Sequence, residues 1–153
     1  MLNKKEEAAE TISARFSADH ARLQGLWDRC IEGIHACDPE TVLKNFTEFE
    51  AGLRRHIKAE EDVLFPAFER ASGMAERGPT VVMRMEHREI EAMLDSLGER
   101  VRARDCATLY GQHVGPSALF KSHDAKEEGV LYPMADRIVA ANERQRVLSA
   151  LTG

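Results

Sequence analysis

The sequence predicts an all-α protein: an antiparallel up-down four-helix bundle with a short C-terminal helical extension. Three observations predict it. Apolar residues recur at steps of three and four over almost the whole chain, while no long run alternates apolar with polar residues as a half-buried strand does. Helix-starting and helix-stopping residues cut the chain into long segments with short connections. The two halves also repeat one another at a fixed offset. The 153 residues correspond to one domain, 1–153, and 43% hydrophobic with 31% charged residues is a globular composition, neither disordered nor collagen-like.

The first segment, about 4–36, lines up Ile12, Phe16, His20, Leu23, Trp27, Ile31 and Ile34 on one stripe. Asp38-Pro39-Glu40 then starts a second helix, with Asp38 as cap, proline at the first helical position and an acid in the first turn. Its inner stripe is Val42, Phe46, Phe49, Leu53, His56, Glu60, Leu64 and Ala67. Ser72-Gly73 stops it, and Gly78-Pro79 opens a third helix over about 79–103 with Met83, His87, Ile90, Leu94, Leu97 and Val101 inward. A fourth helical stretch begins near Asp105 and runs to about Ala141, kinked or restarted at Gly115-Pro116. Its inner side carries Leu109, Phe120, His123, Glu127, Leu131, Met134 and Ile138. Asn142 is placed to cap a short last helix, Glu143 to Leu151.

Composition narrows the partners. A net charge of -5, from 21 Lys and Arg against 26 Asp and Glu, offers no general attraction for nucleic acid or anionic lipid. Three cysteines, no apolar N-terminal run ending in a small-residue cleavage site, and no stretch near the roughly 18 apolar residues of a membrane span predict a cytoplasmic protein. A homodimer is compatible with the sequence.

Polar residues interrupt the apolar stripes in a repeated order. His20 and His87, His56 and His123, and Glu60 and Glu127 are each 67 positions apart. Segments 56–69 (HIKAEEDVLFPAFE) and 123–136 (HDAKEEGVLYPMAD) share six of fourteen residues, so hairpins at about 16–69 and 83–136 read as duplicates. Chance matching of amphipathic helices explains shared apolar positions but not shared histidines and glutamates. Residues four apart project from one helical face, so His56 with Glu60 and His123 with Glu127 each form a two-donor blade. Several imidazoles and carboxylates brought bare into a bundle interior cost several kcal/mol each unless paired or metal-bound. A dinuclear metal site resolves that cost. Two six-coordinate ions offer 12 positions; four histidines fill four, two bridging glutamates four more, and an oxo or hydroxo bridge two. One position on each ion remains for a side chain, water or small ligand. Glu91, four residues after His87, is the further side chain, and its repeat mate is the neutral Gln24, which predicts inequivalent metals. Imidazole and carboxylate donors without thiolate point to iron or manganese over a structural zinc, and iron is the expected metal. The predicted metal donors are therefore His20, His56, Glu60, His87, Glu91, His123 and Glu127.

This ordered series, His20, His56-x-x-x-Glu60, His87, His123-x-x-x-Glu127, resembles the hemerythrin-like HHE cation-binding family over about residues 16–136. The resemblance implies an antiparallel four-helix bundle around a non-haem di-iron centre. It also has a departure: oxygen-carrying hemerythrins have His-x-x-x-His on the third helix, where this chain has His87-x-x-x-Glu91, and a fourth-helix acid one residue further along. An anionic oxygen donor favours ferric iron, which disfavours reversible oxygen carriage. The expected function is binding or sensing of O2 or NO at a carboxylate-bridged di-iron centre. The alternative is a di-iron enzyme or iron-handling protein that decomposes peroxide, reduces NO or supplies iron for repair of damaged metal centres.

Other residues receive plainer readings. Glu61 and Glu128 repeat but rotate roughly 100° from the inner position, to the surface or just outside the donors. Tyr132 has Phe65 as its mate and is expected to pack in the core. His113 lies about 15 Å along a straight helix from His123, too far for the same centre, and His35 is near a helix end. Cys30 and Cys37, seven apart on one helix, cannot be bridged without unwinding it and are expected to pack. Arg100, Arg102 and Arg104 suit a helix C-terminus.

Overall fold

The computed structural model describes residues 9–152, which are mostly helical with no strand among them. In chain order the helices are α1 (Ile12–His35), α2 (Pro39–Ala59), α3 (Phe65–Ser72), α4 (Pro79–Arg102), α5 (Cys106–Gln112), α6 (Val114–Lys126), α7 (Tyr132–Ile138) and α8 (Ala141–Ala150). Single π turns, Glu60–Leu64 and Glu127–Leu131, join α2 to α3 and α6 to α7, so each pair forms one continuous rod. No helix among the described residues is long and apolar enough to cross a membrane.

The apolar residues form two clusters at opposite ends of the bundle. One contains Trp27, Phe46, Phe49, Ile90, Leu94 and Phe120; the other contains Ile12, Phe16, Leu64, Phe65, Met83, Leu131 and Ala135. Their numbering gives the topology. Along α1 and α4 the chain passes from the second cluster to the first, and along α2–α3 and α6–α7 it returns. Four rods therefore run up and down around one axis, as an antiparallel bundle does. The His/Glu positions fall between the clusters, so the polar layer has an apolar plug on each side.

The ends follow local chemistry. Thr11 caps α1 through Ala14 N, and Asp136 of α7 accepts from Ile12 N at 2.7 Å and Ser13 N at 3.2 Å, placing negative charge at the positive end of α1. Helix α1 therefore starts at Ile12, later than the sequence pattern predicts; the expected helical residues 4–8 lie outside the described residues. Asp38 caps α2 as expected, and Asp105, where the fourth stretch was expected to begin, caps α5. Gly73 ends α3 with φ 71, in the left-handed region that glycine enters without a Cβ clash. Gly33 lets α1 meet the start of α2: a Cβ there would lie 2.9 Å from Val42 Cγ2 and 3.2 Å from Val42 N.

Four expectations are corrected. The fourth helical stretch is broken at His113 and again by its π turn. Ile138, predicted inward, is 39% exposed, and Val139 takes the core place at 5%. The extra residue of the π turn advances the inward face by one, to Tyr132, Ala135 and Val139. The last helix begins at Ala141 without a side-chain cap, not at Glu143 behind Asn142, and buries Val147 and Leu148 in the second cluster. Of the cysteines, Cys30 packs in the first cluster, with its thiol pushed up to about 12 by burial, but Cys37 is exposed.

Candidate metal centre

Each π turn begins on a glutamate of the repeat. Phe65 N bonds back to Glu60 O, and Tyr132 N to Glu127 O. The sequence carried a signal for this that periodicity alone misses. Pro66 and Pro133 follow the glutamates by six residues, and a proline ring inside a helix collides with the carbonyl four residues earlier. Widening the preceding turn relieves the collision, and it advances the inward face of the residues that follow Glu60 and Glu127.

His20, His56, Glu60, His87, His123 and Glu127 are all buried, at 4% exposure or less. They converge as two groups of donor atoms lying within 4.8 Å of one another: His20, His56, Glu60 and Glu127, and Glu60, His87, His123 and Glu127. Both glutamates belong to both groups. His20 Nε2 is 3.2 Å and His123 Nε2 3.0 Å from Glu127 Oε1; His56 Nε2 is 3.2 Å from Glu60 Oε1 and His87 Nε2 3.1 Å from Glu60 Oε2. Glu91 is not brought in, which corrects that expectation. Its half-buried side chain turns to Arg88 Nε at 3.5 Å, because the space beside His87 Nε2 is taken by Glu60 and Glu127. His35 and His113 face each other with Nε2 atoms 3.2 Å apart, and the metal-donor groups include neither.

The outward nitrogen of every clustered histidine meets a carboxylate. His20 Nδ1 contacts Glu128 at 2.9 Å, His56 Nδ1 Asp19 at 2.8 Å, His87 Nδ1 Glu61 at 2.8 Å and His123 Nδ1 Glu86 at 3.2 Å. Arg88 and Lys126 pair in turn with Glu61 and Glu86. Such partners fix the ring and leave the Nε2 lone pair facing inward, as metal-binding histidines require. Glu61 and Glu128 thus stand just outside the donors, while Asp19 and Glu86 were missed in sequence. The signal was present: they precede His20 and His87 and keep the 67-residue offset. Asp19→Ala and Glu86→Ala are expected to weaken metal binding by about 10–100-fold each, read by chelator competition. Wild-type affinity in both variants would contradict this role.

The donor set fits a cation. Glu60 Oε2, Glu127 Oε2 and His87 Nε2 are buried with no hydrogen-bond partner, three inward lone-pair atoms on one side of the centre. Burial opposes charge on His56, but attraction to Glu60 and hydrogen bonds to Asp19 and Glu60 outweigh it and raise the imidazole to about 10. Burial likewise opposes charge on His123, which Glu127 and Glu60 raise to about 9. Burial also works against an ionised Glu60, yet the neighbouring His56 and His87 hold it well below the usual carboxylate range. Tyr132, expected as plain packing, is fully buried with its hydroxyl on Glu60 Oε1 and 3.2 Å from Glu127 Oε1. Asp124, 3.4 Å from His20 Nε2, is pushed up to about 6 by burial. It lines a groove between α1 and α6 that leads to His20.

A helical bundle with a buried, carboxylate-braced cluster of imidazoles and glutamates defines the class of cation-binding bundle proteins. The chain belongs to the hemerythrin HHE cation binding domain family, which matches residues 11–135. It is similar to the iron-sulfur cluster repair protein YtfE of Salmonella schwarzengrund, 27% identical over 116 residues, covering 69% of this chain and 53% of that protein. The YtfE of Escherichia coli O157:H7 is 28% identical over the same shares. The chain thus spans about half the length of these curated relatives. No solved structure matches.

Proposed function

We propose that the chain binds two iron ions, one between His20 and His56 and the other between His87 and His123, joined by Glu60, Glu127 and an oxo or hydroxo bridge, and that it is an iron-handling protein. The observation that carries the reading is the sharing of both buried glutamates by two histidine pairs. One ion cannot use four imidazoles that the bundle holds as two pairs, whereas two ions bridged by carboxylates use all six side chains. Iron supplies redox chemistry and affinity for small ligands. The protein orients the imidazoles through Asp19, Glu61, Glu86 and Glu128, and its two apolar clusters keep bulk water from the centre. The groove beside Asp124 gives iron a path in and out. The name carried by the YtfE relatives supports iron supply for repair of damaged metal centres over reversible oxygen carriage.

A second reading, binding or sensing of O2 or NO, is favoured by one feature. A cavity of about 20 Å³ lies beside His20, walled by Leu23, Trp27, Phe49, Leu53, Ile90 and Phe120. That holds a water-sized molecule and excludes organic substrates. The readings separate on purified protein reconstituted with ferrous iron. Iron handling predicts about two irons per chain that pass, on reduction, to an apo iron-sulfur protein. A reversible NO adduct with no iron transfer moves the assignment to the second reading, and one zinc or no metal overturns both.

A further inference from the structure

The two halves of the centre are not equal. The 67-residue repeat supplies the histidines, the glutamates and the outer carboxylates in matched pairs, but Tyr132 stands where the other half has Phe65. The Phe65 ring stacks on His87, centroids 5.5 Å apart and planes 9° apart, and brings no oxygen. On the other side the Tyr132 hydroxyl lies 3.1 Å from His56 Nε2, 3.2 Å from His20 Nε2, 3.2 Å from Glu127 Oε1 and against Glu60 Oε1. It therefore touches every donor of the His20–His56 group and none of the two histidines opposite. An octahedral ion with donors at about 2.1 Å holds neighbouring donors about 3 Å apart. The phenol oxygen has that spacing from His20, His56 and Glu127, as a donor placed over the face formed by the others has.

We propose that Tyr132 is a fifth protein donor to the metal held by His20 and His56, and that the metal between His87 and His123 has no counterpart. The inference rests on the di-iron reading above. It reverses the asymmetry expected from Glu91: the half richer in oxygen donors is that of His20, not that of His87. Binding releases the hydroxyl proton that now faces Glu60 Oε1, in the way metal binding releases protons from other donors. With the bridge, five protein donors fill the six positions of that ion, and four leave one position on the other. The oxygen-rich half favours ferric iron.

Tyr132 and Tyr110 are the chain's two tyrosines, and Tyr110 is 60% exposed beside His35 and His113. The assignment is therefore open to spectroscopy. Iron-loaded, air-oxidised protein is expected to show a visible phenolate-to-ferric charge-transfer band, with resonance-enhanced ring modes that shift when the tyrosines are ring-deuterated. The band, measured per bound iron, is expected to vanish in Tyr132→Phe and to persist unchanged in Tyr110→Phe. Two bound irons with no such band in the wild type, or a band surviving Tyr132→Phe, overturns the inference alone. No bound iron overturns the di-iron reading with it. Should Tyr132→Phe fail to fold, ring deuteration in Tyr110→Phe decides the matter, because Tyr132 is then the remaining tyrosine.

Discussion

Glu127→Ala is expected to strip both metal ions from the protein, where a histidine change such as His87→Ala strips one. The carboxylate belongs to both donor groups: its Oε1 lies 3.2 Å from His20 Nε2 and 3.0 Å from His123 Nε2, and its Oε2 is 4.0 Å from His87 Nε2. Removing it takes one donor from each ion and the negative charge that offsets them. The loss should exceed the about 10–100-fold that follows removal of an outer hydrogen-bond partner. Iron per chain after desalting is the measurement, with Glu91→Ala as the control expected to keep the wild-type content. One iron retained by Glu127→Ala, or iron lost from Glu91→Ala, would show that the shared carboxylate is not the element joining the two halves.

Removing the metal is expected to lower the melting temperature and to give the metal-free protein a pH dependence opposite to that of the loaded one. A ligand present at about 1,000 times its dissociation constant stabilises by roughly 4 kcal/mol, and each kcal/mol moves the midpoint of a chain this size by about 2–4 °C, so chelation should cost about 10 °C. Without metal, His56 and His123 are raised to about 10 and about 9. A raised histidine contributes stability that is complete below its unfolded value near 6.5 and is lost as pH climbs through the folded value. Glu60 is depressed, so its contribution is present above the ordinary carboxylate value and is lost on acidification. Metal-free protein is therefore most stable between about pH 4.5 and 6.5 and weakens steadily toward pH 10. Metal competes with the protons on the same imidazoles, so its affinity rises over that range. The gap between loaded and chelated melting temperatures should widen from pH 6 to 9, and a gap constant across it would remove the protonated histidines from the account.

The helices, their order and the convergence of six of the seven candidate donors were legible in the sequence, for reasons that differ. Helix period is a local property, visible wherever one face is apolar, and Asp38, Asp105, Gly73 and Gly78-Pro79 mark ends through interactions within a few residues. His20, His56, Glu60, His87, His123 and Glu127 were legible because a duplicated polar residue on an apolar stripe is costly unless it meets partners. Glu91 failed on the same rule, since a position four residues along shares a face only loosely, and a half-exposed acid has Arg88 and water to satisfy it.

Tertiary structure decided the rest. The π turns depend on proline sterics acting across a whole turn, and by shifting the register of α7 they exchanged Ile138 for Val139 and swung Tyr132 to the donors. Pairing of Asp19 with His56, and of Glu86 with His123, joins neighbouring rods that the sequence separates by 37 residues. A duplicated helical bundle with a polar layer suited to a cation could be read before any fold was known, because periodicity and the energetic cost of buried charge are written residue by residue. Which oxygens approach which imidazole, and so why one half of the centre differs from the other, was decided by the packing of four rods, since an interior contact is a property of two surfaces and not of either alone.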